Sequence, residues 1–162
     1  MALCSDLIYM AEDSHVGYPP ARVWGEPTTV MWVYRLGLEH AKRLMLTGQS
    51  LTGVEAERLG LVSAAVPAGE LASVVDEMAR KLATIPSNQL AMSKLLVNQA
   101  YENMGLRTTQ MLGTFFDGVA RHTPEGVAWR DLAMQEGFRE AVRRRDGPWQ
   151  DYGETGPSTS SP

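Results

Sequence analysis

The rhythm of hydrophobic and polar positions changes at Pro67. Before it, short apolar runs alternate with helical segments; after it, apolar residues recur every three or four positions. Leu7-Ile8-Tyr9-Met10-Ala11, bounded by Asp6 and by Glu12-Asp13, predicts a buried strand. From Val16 to Trp24 the pair Pro19-Pro20 forbids helix and predicts an extended or turning path. Thr28 or Thr29 is placed to cap a helix through Val30, Val33 and Leu36 that stops at Gly37. A second helix is predicted from Leu38 to Leu46, with Gly48 at its end. Thr52 followed three residues later by Glu55 is a capping box, opening a helix that Gly60 closes. Leu61 to Val66 predicts a strand ended by Pro67.

Beyond Pro67 the pattern is helical. Glu70 to Ile85 carries Leu71, Val74, Val75, Met78 and Leu82 on one face, and Pro86 breaks it. Ser87 is placed to cap the next helix, which carries Leu90, Leu95, Leu96 and Val97 as far as a break at Gly105. Met111, Leu112, Phe115, Phe116 and Val119 form another stripe that ends near His122-Thr123-Pro124. Glu125 to Arg145 supplies one or two more helices, and from Gly153 nothing apolar remains to bury, which predicts a disordered tail. The expected organisation is an αβ unit over 1–67, a helical subdomain over 68–150 and a tail over 151–162. The fold class is α/β, mostly helical. Strands alternating with helices suggest parallel pairing, and a parallel sheet needs cover on both faces. Two or three strands are too few for that, so the expectation is a fragment, or a sheet completed by another chain.

Composition narrows the function classes. Fifteen basic against nineteen acidic residues give a net charge of −4, which argues against a general nucleic-acid binder. There is no apolar stretch of about 18 residues to span a bilayer. One cysteine, Cys4, leaves no intrachain disulfide and suits a reducing, cytoplasmic setting; with no histidine nearby it reads as a buried structural thiol. His15, His40 and His122 show no spacing for a metal site or a nucleophile–base pair, and His122 with Asp117 is accounted for by helix capping.

Thr47-Gly48-Gln49-Ser50-Leu51-Thr52-Gly53-Val54-Glu55-Ala56-Glu57-Arg58-Leu59-Gly60-Leu61-Val62 resembles the crotonase (enoyl-CoA hydratase/isomerase) pattern of Thr-Gly turn, short strand, capped helix and Gly-Leu-Val exit strand. Cys4 to Asp13 resembles that family's passage from helix to strand. Val16-Gly17-Tyr18-Pro19 resembles its Phe-Gly-x-Pro stretch, and Phe138 to Trp149 resembles its closing motif. The resemblance covers about residues 1–150. It implies a truncated ββα spiral followed by a C-terminal helical subdomain that mediates trimer-type association. It implies a coenzyme A thioester as substrate, with no cofactor and no metal. In the family two backbone N–H groups polarise the thioester carbonyl, and two glutamates handle the water in hydratases.

By the same resemblance both N–H groups and the first glutamate fall ahead of Met1, and the second glutamate falls on Pro20, which has no ionisable group. The chain alone is therefore expected to show no hydration of a short enoyl-CoA above background. Glu26 is the one carboxylate in the matching rim and is the candidate acid or base, or else a solvated loop residue. Tyr18, Pro19, Trp24 and Pro27, with Trp32, are candidates to line an acyl pocket; Tyr18, Trp24 and Trp32 read first as core or helix-packing aromatics. Arg144 and Arg145, in the run from Arg143, resemble the basic pair that meets CoA phosphates, or else they cap a helix C-terminus. The functional alternatives are a non-catalytic oligomerisation module, docking on its own kind or on full-length relatives, and a decayed remnant of such an enzyme.

Overall fold

A computed structural model describes residues 2–150. Strands β1 (Tyr9–Ala11) and β4 (Ala64–Val66) pair in parallel, with Tyr9 opposite Ala64 and Ala11 opposite Val66. Strands β2 (His15–Val16) and β3 (Leu51–Thr52) pair antiparallel, so the expected all-parallel arrangement holds for one of the two pairs only. The predicted strand from Leu61 is shorter at its front: Leu61 and Val62 are buried in a turn, and pairing starts at Ala64.

Helix α1 (Met31–Thr47) is two helices meeting at Gly37, whose φ of 72° and ψ of 177° interrupt the helical path at the predicted point. Gly48 closes α1 in the left-handed conformation, φ 63°, where a side chain would be strained. The threonine cap expected for α1 does not form. Val30 is the capping residue, and Thr29 Oγ1 is buried without a partner. The predicted capping box is present at α2 (Gly53–Arg58): Thr52 Oγ1 accepts from Glu55 N–H at 3.3 Å, and Glu55 Oε2 accepts from Thr52 N–H at 2.9 Å.

One hydrophobic core joins these pieces. Leu36, Ala41 and Leu44 of α1 meet Leu3, Ile8, Leu51, Ala56, Leu61 and Val62. Cys4 lies outside it and is exposed, so the reading of a buried thiol is corrected: the adjacent Leu3 is the residue that turns inward.

The remaining chain is helical: α3 (Leu71–Ala83), α4 (Ser87–Asn103), α5 (Leu106–Ala120), α6 (Pro124–Glu136) and α7 (Phe138–Asp146). Ser87 is the first helical residue of α4, and Pro86 stands at the cap. Thr123 caps α6 by accepting from Gly126 N–H at 3.1 Å. No residue of α3, α4 or α5 is fully buried, and Leu95, Leu96, Met111, Phe115 and Phe116 are exposed. The tail expected to be disordered lies outside the described residues.

Candidate functional site

The loop after β2 is shaped by its prolines. Pro19 opens a short 3-10 turn, Pro19–Arg22, where its missing N–H costs nothing. The Pro20 carbonyl then accepts from the N–H groups of Val23 (3.2 Å), Trp24 (2.9 Å) and Gly25 (3.0 Å). Pro20 therefore organises the backbone on which the neighbouring side chains are displayed. Gly17 comes so close to Ser50 that a Cβ would lie 2.6 Å from Ser50 Oγ, which pins the loop's front end.

Arg22 fastens the turn. Its Nε donates to the Thr47 carbonyl at 2.9 Å, its Nη1 donates to Asp146 Oδ1 at 2.9 Å, and its guanidinium lies 4.7 Å from the centre of the Trp149 ring. Arg145 reaches the same carboxylate with two bonds of 2.7 Å. All three side chains are nearly sealed from solvent, with relative exposures of 5% for Arg22, 7% for Arg145 and 0% for Asp146.

The far end of the loop is held by α5. Glu26 N–H donates to Asp117 Oδ1 at 3.1 Å. Arg121, one turn further along α5, grips Asp117 with Nε at 3.0 Å and Nη2 at 3.1 Å. That guanidinium also lies 4.1 Å from the centre of the Trp24 ring. A Cβ on Gly25 would stand 2.8 Å from Asp117 Oδ1, 3.5 Å from the Tyr18 hydroxyl and 3.9 Å from Arg121 Nη2, so these three groups converge on one spot. Gly113 repeats the close approach one turn back, where a Cβ would lie 3.2 Å from the Pro27 carbonyl. Residues 113, 117 and 121 share one helix face by their four-residue spacing.

Burial pushes the Glu26 carboxyl up from the ordinary carboxylate range, and the Asp117 charge adds to the shift. The Tyr18 hydroxyl is pushed up for the same two reasons in the same order, with a smaller push from Glu26, against pulls from Arg121 and Arg145. Both groups are shifted towards their protonated forms, the direction that suits a group donating a proton or a hydrogen bond.

Tyr18, Pro19, Trp24, Glu26 and Pro27 thus lie on one short loop, with Pro19 and Pro27 buried and the other three half-buried. Trp24 packs 5.3 Å from Trp129, while Trp32 is in the main core. Arg144 and Arg145 do not join this group as free cations. Arg145 is closed in on Asp146, and Arg144 pairs with Glu140 at 2.7 Å and with Glu136. Reading the sequence missed Asp117 and Arg121. Their signal is an acid–base pair at four-residue spacing, one turn beyond Gly113; His122 lies at the end of α5 as expected, its Nδ1 2.7 Å from the Gly118 carbonyl in the last turn.

A separate cavity of about 670 Å³ lies between the segment from Cys4 to Leu7, the start of α1 and the helices α3 to α5, with Arg35, Lys94 and Tyr101 in its wall. None of the loop residues above lines it. Among the described residues no group of histidine, cysteine and acidic side chains converges as a metal site, and no helix is long and apolar enough to cross a membrane.

Residues 1–150 match the family model described as enoyl-CoA hydratase/isomerase. A Dictyostelium discoideum protein described as a probable mitochondrial enoyl-CoA hydratase is 32% identical over 152 residues, covering 92% of this chain and 52% of its own length. The crystal structure of an enoyl-CoA hydratase from Mycobacterium smegmatis is 47% identical, with a TM-score of 0.89 over 93% of this chain and 52% of that one. An enoyl-CoA hydratase/isomerase structure from Xanthobacter autotrophicus Py2, 23% identical with a TM-score of 0.83, shares the fold. The chain spans about half the length of the relatives it matches.

Proposed function

This chain belongs to the enoyl-CoA hydratase/isomerase family, and we propose that it supplies one wall of an acyl-CoA site in which Glu26 is the acid–base group. The fold, a truncated crotonase-like spiral with a helical subdomain, is shared with those hydratases. The observation that carries the reading of Glu26 is that Pro20 stands where the resemblance expects a carboxylate, while Glu26, on the same turn-and-loop, has a half-buried carboxyl shifted upward. In hydration, one water adds across the double bond next to the thioester. Neutral Glu26 gives its proton to the carbon beside the carbonyl, the water oxygen bonds to the next carbon, and the proton released by that water returns to Glu26. Tyr18, Pro19, Trp24 and Pro27 would shape the acyl end, and Arg144 would have to exchange its pairs with Glu136 and Glu140 for a phosphate. The substrate is a coenzyme A thioester and the chemistry calls on no cofactor. A cytoplasmic setting suits a chain whose one cysteine is exposed.

Thermal unfolding of the 162-residue chain with and without saturating butyryl-CoA tests this reading. A cooperative transition moved upward by the ligand is expected, since a ligand that binds the native state alone stabilises it. A transition unmoved by butyryl-CoA would count against an acyl-CoA site in this chain.

A second reading, as an association module, is favoured by the apolar faces of α4 and α5. Leu96, Met111 and Phe115 are each at least 62% exposed, and large apolar side chains left open to water in number mark a surface for association. The partner is a second copy or a full-length relative.

A further inference from the structure

We propose that Asp117, braced by Arg121, is the positioning residue of Glu26: it fixes the backbone at that residue and sets the charge that its carboxyl faces. The proposal rests on the reading of Glu26 given above and adds a second layer to it. Three geometric facts support it. Asp117 is bonded to the Glu26 N–H itself, at 3.1 Å, so the loop cannot shift without breaking a charge-assisted bond. Its side chain is only 14% exposed, against 38% for Arg121, so the pair is anchored on the inner side. Finally, Gly25 leaves no room for a side chain between the loop and Asp117, which brings the two acids close.

The charge logic follows from who faces whom. The two-pronged Arg121 contact uses both oxygens of Asp117. Among the described residues no guanidinium is bonded to the Glu26 carboxyl, and burial and Asp117 both push that carboxyl up. The other titratable and charged groups around the loop are Tyr18 on the loop itself and Arg145 at the end of α7, whose charge acts on the Tyr18 hydroxyl. Burial and Asp117 thus act on the Glu26 carboxyl in the same direction, while Arg121 engages both Asp117 oxygens.

The experiment is a carboxyl-carbon NMR titration of Glu26 in the 162-residue chain, wild type against Asp117→Asn and Arg121→Gln. Asp117→Asn keeps an oxygen for the Glu26 N–H but removes the charge, so the Glu26 midpoint is expected to move to lower pH. Arg121→Gln leaves Asp117 uncompensated, so the midpoint is expected to move to higher pH. A merely structural role predicts no such opposition of sign. A Glu26 midpoint unchanged in both variants, or moved the same way in both, overturns the proposal. If one variant fails to fold, the direction in the other still decides. Butyryl-CoA binding to the wild type is measured alongside. Absence of binding there rejects the acyl-CoA reading, while the titration continues to judge Asp117.

Discussion

Arg22 and Asp146 stand 124 positions apart in the chain and meet in an ion pair of 2.9 Å with almost no access to water. Arg145 completes the triad from the adjacent position, and Trp149 and Trp129 lie against the two guanidiniums. A buried carboxylate between two arginines is stable only while all its lone pairs are engaged. Removing it takes a shared acceptor away from two guanidiniums that are almost closed off from water. Asp146→Ala is expected to cost about 3–5 kcal/mol, the usual loss when one partner of a buried pair is deleted. Urea unfolding of the two proteins checks this, and a loss below about 1 kcal/mol would show that the triad contributes little more than a surface pair.

Gly53 sits at the junction of β3 and α2, where a Cβ would lie 2.1 Å from the Ala11 carbonyl oxygen. That oxygen belongs to the paired strand β1, which cannot withdraw without opening its ladder with β4. Gly53→Ala is therefore expected to destabilise by about 1–3 kcal/mol, as overpacking does. Gly69 has nothing within 4 Å of its own hypothetical Cβ, so Gly69→Ala serves as the control and should stay close to wild type in the same melts.

The contrast between these positions explains what the sequence could disclose. The capping box at Thr52 was legible because donor, acceptor and helix all lie within four residues. The break at Gly37 was legible for the same reason, since glycine alone adopts a φ of 72° freely. The partnership of Glu26 with Asp117 spans 91 positions, and no local pattern encodes it. Asp146 sits beside a run of three arginines with nothing local to mark it as buried, yet it is the most enclosed acid described, because Arg22 arrives from 124 positions away in the chain. Thr29 misled in the opposite direction. It had the right chemistry for a cap, but Val30 took the position and left its hydroxyl without a partner.

The exposed apolar stripe of α4 and α5 leads to a prediction about association. Leu96 is 75% exposed, Met111 70% and Phe115 62%, and Phe115 and Phe116 pack only 5.8 Å apart with solvent beyond. Such a face gains by meeting another apolar surface at roughly 25 cal/mol per Å² removed from water. The chain is expected to self-associate in sedimentation velocity. The double variant Leu96→Glu, Phe115→Glu is expected to shift it towards monomer without changing its helical circular dichroism. Equal sedimentation of both proteins would mean the stripe is not the contact surface.

Glu140 links stability to pH in a way that can be separated from the site. It accepts from Arg143 at 2.6 and 2.7 Å and from Arg144 at 2.7 Å, in the first turn of α7. These hydrogen bonds, Arg143 first and Arg144 next, hold its carboxyl down at about 2 from an ordinary 4.5. Because the folded value is depressed, the contribution is fully present above the unfolded value and fades as pH falls from about 4.5 towards about 2. The Tm gap between wild type and Glu140→Gln should accordingly be widest near neutral pH and narrow steadily through that window. The carboxylate is open to solvent, so the gap should be modest and should shrink in high salt at any pH where it exists. A gap that stayed constant down to the lowest pH at which both proteins fold would mean that glutamine disturbs α7 by its shape alone, and that the paired charges on this helix leave the balance between folded and unfolded chain unchanged.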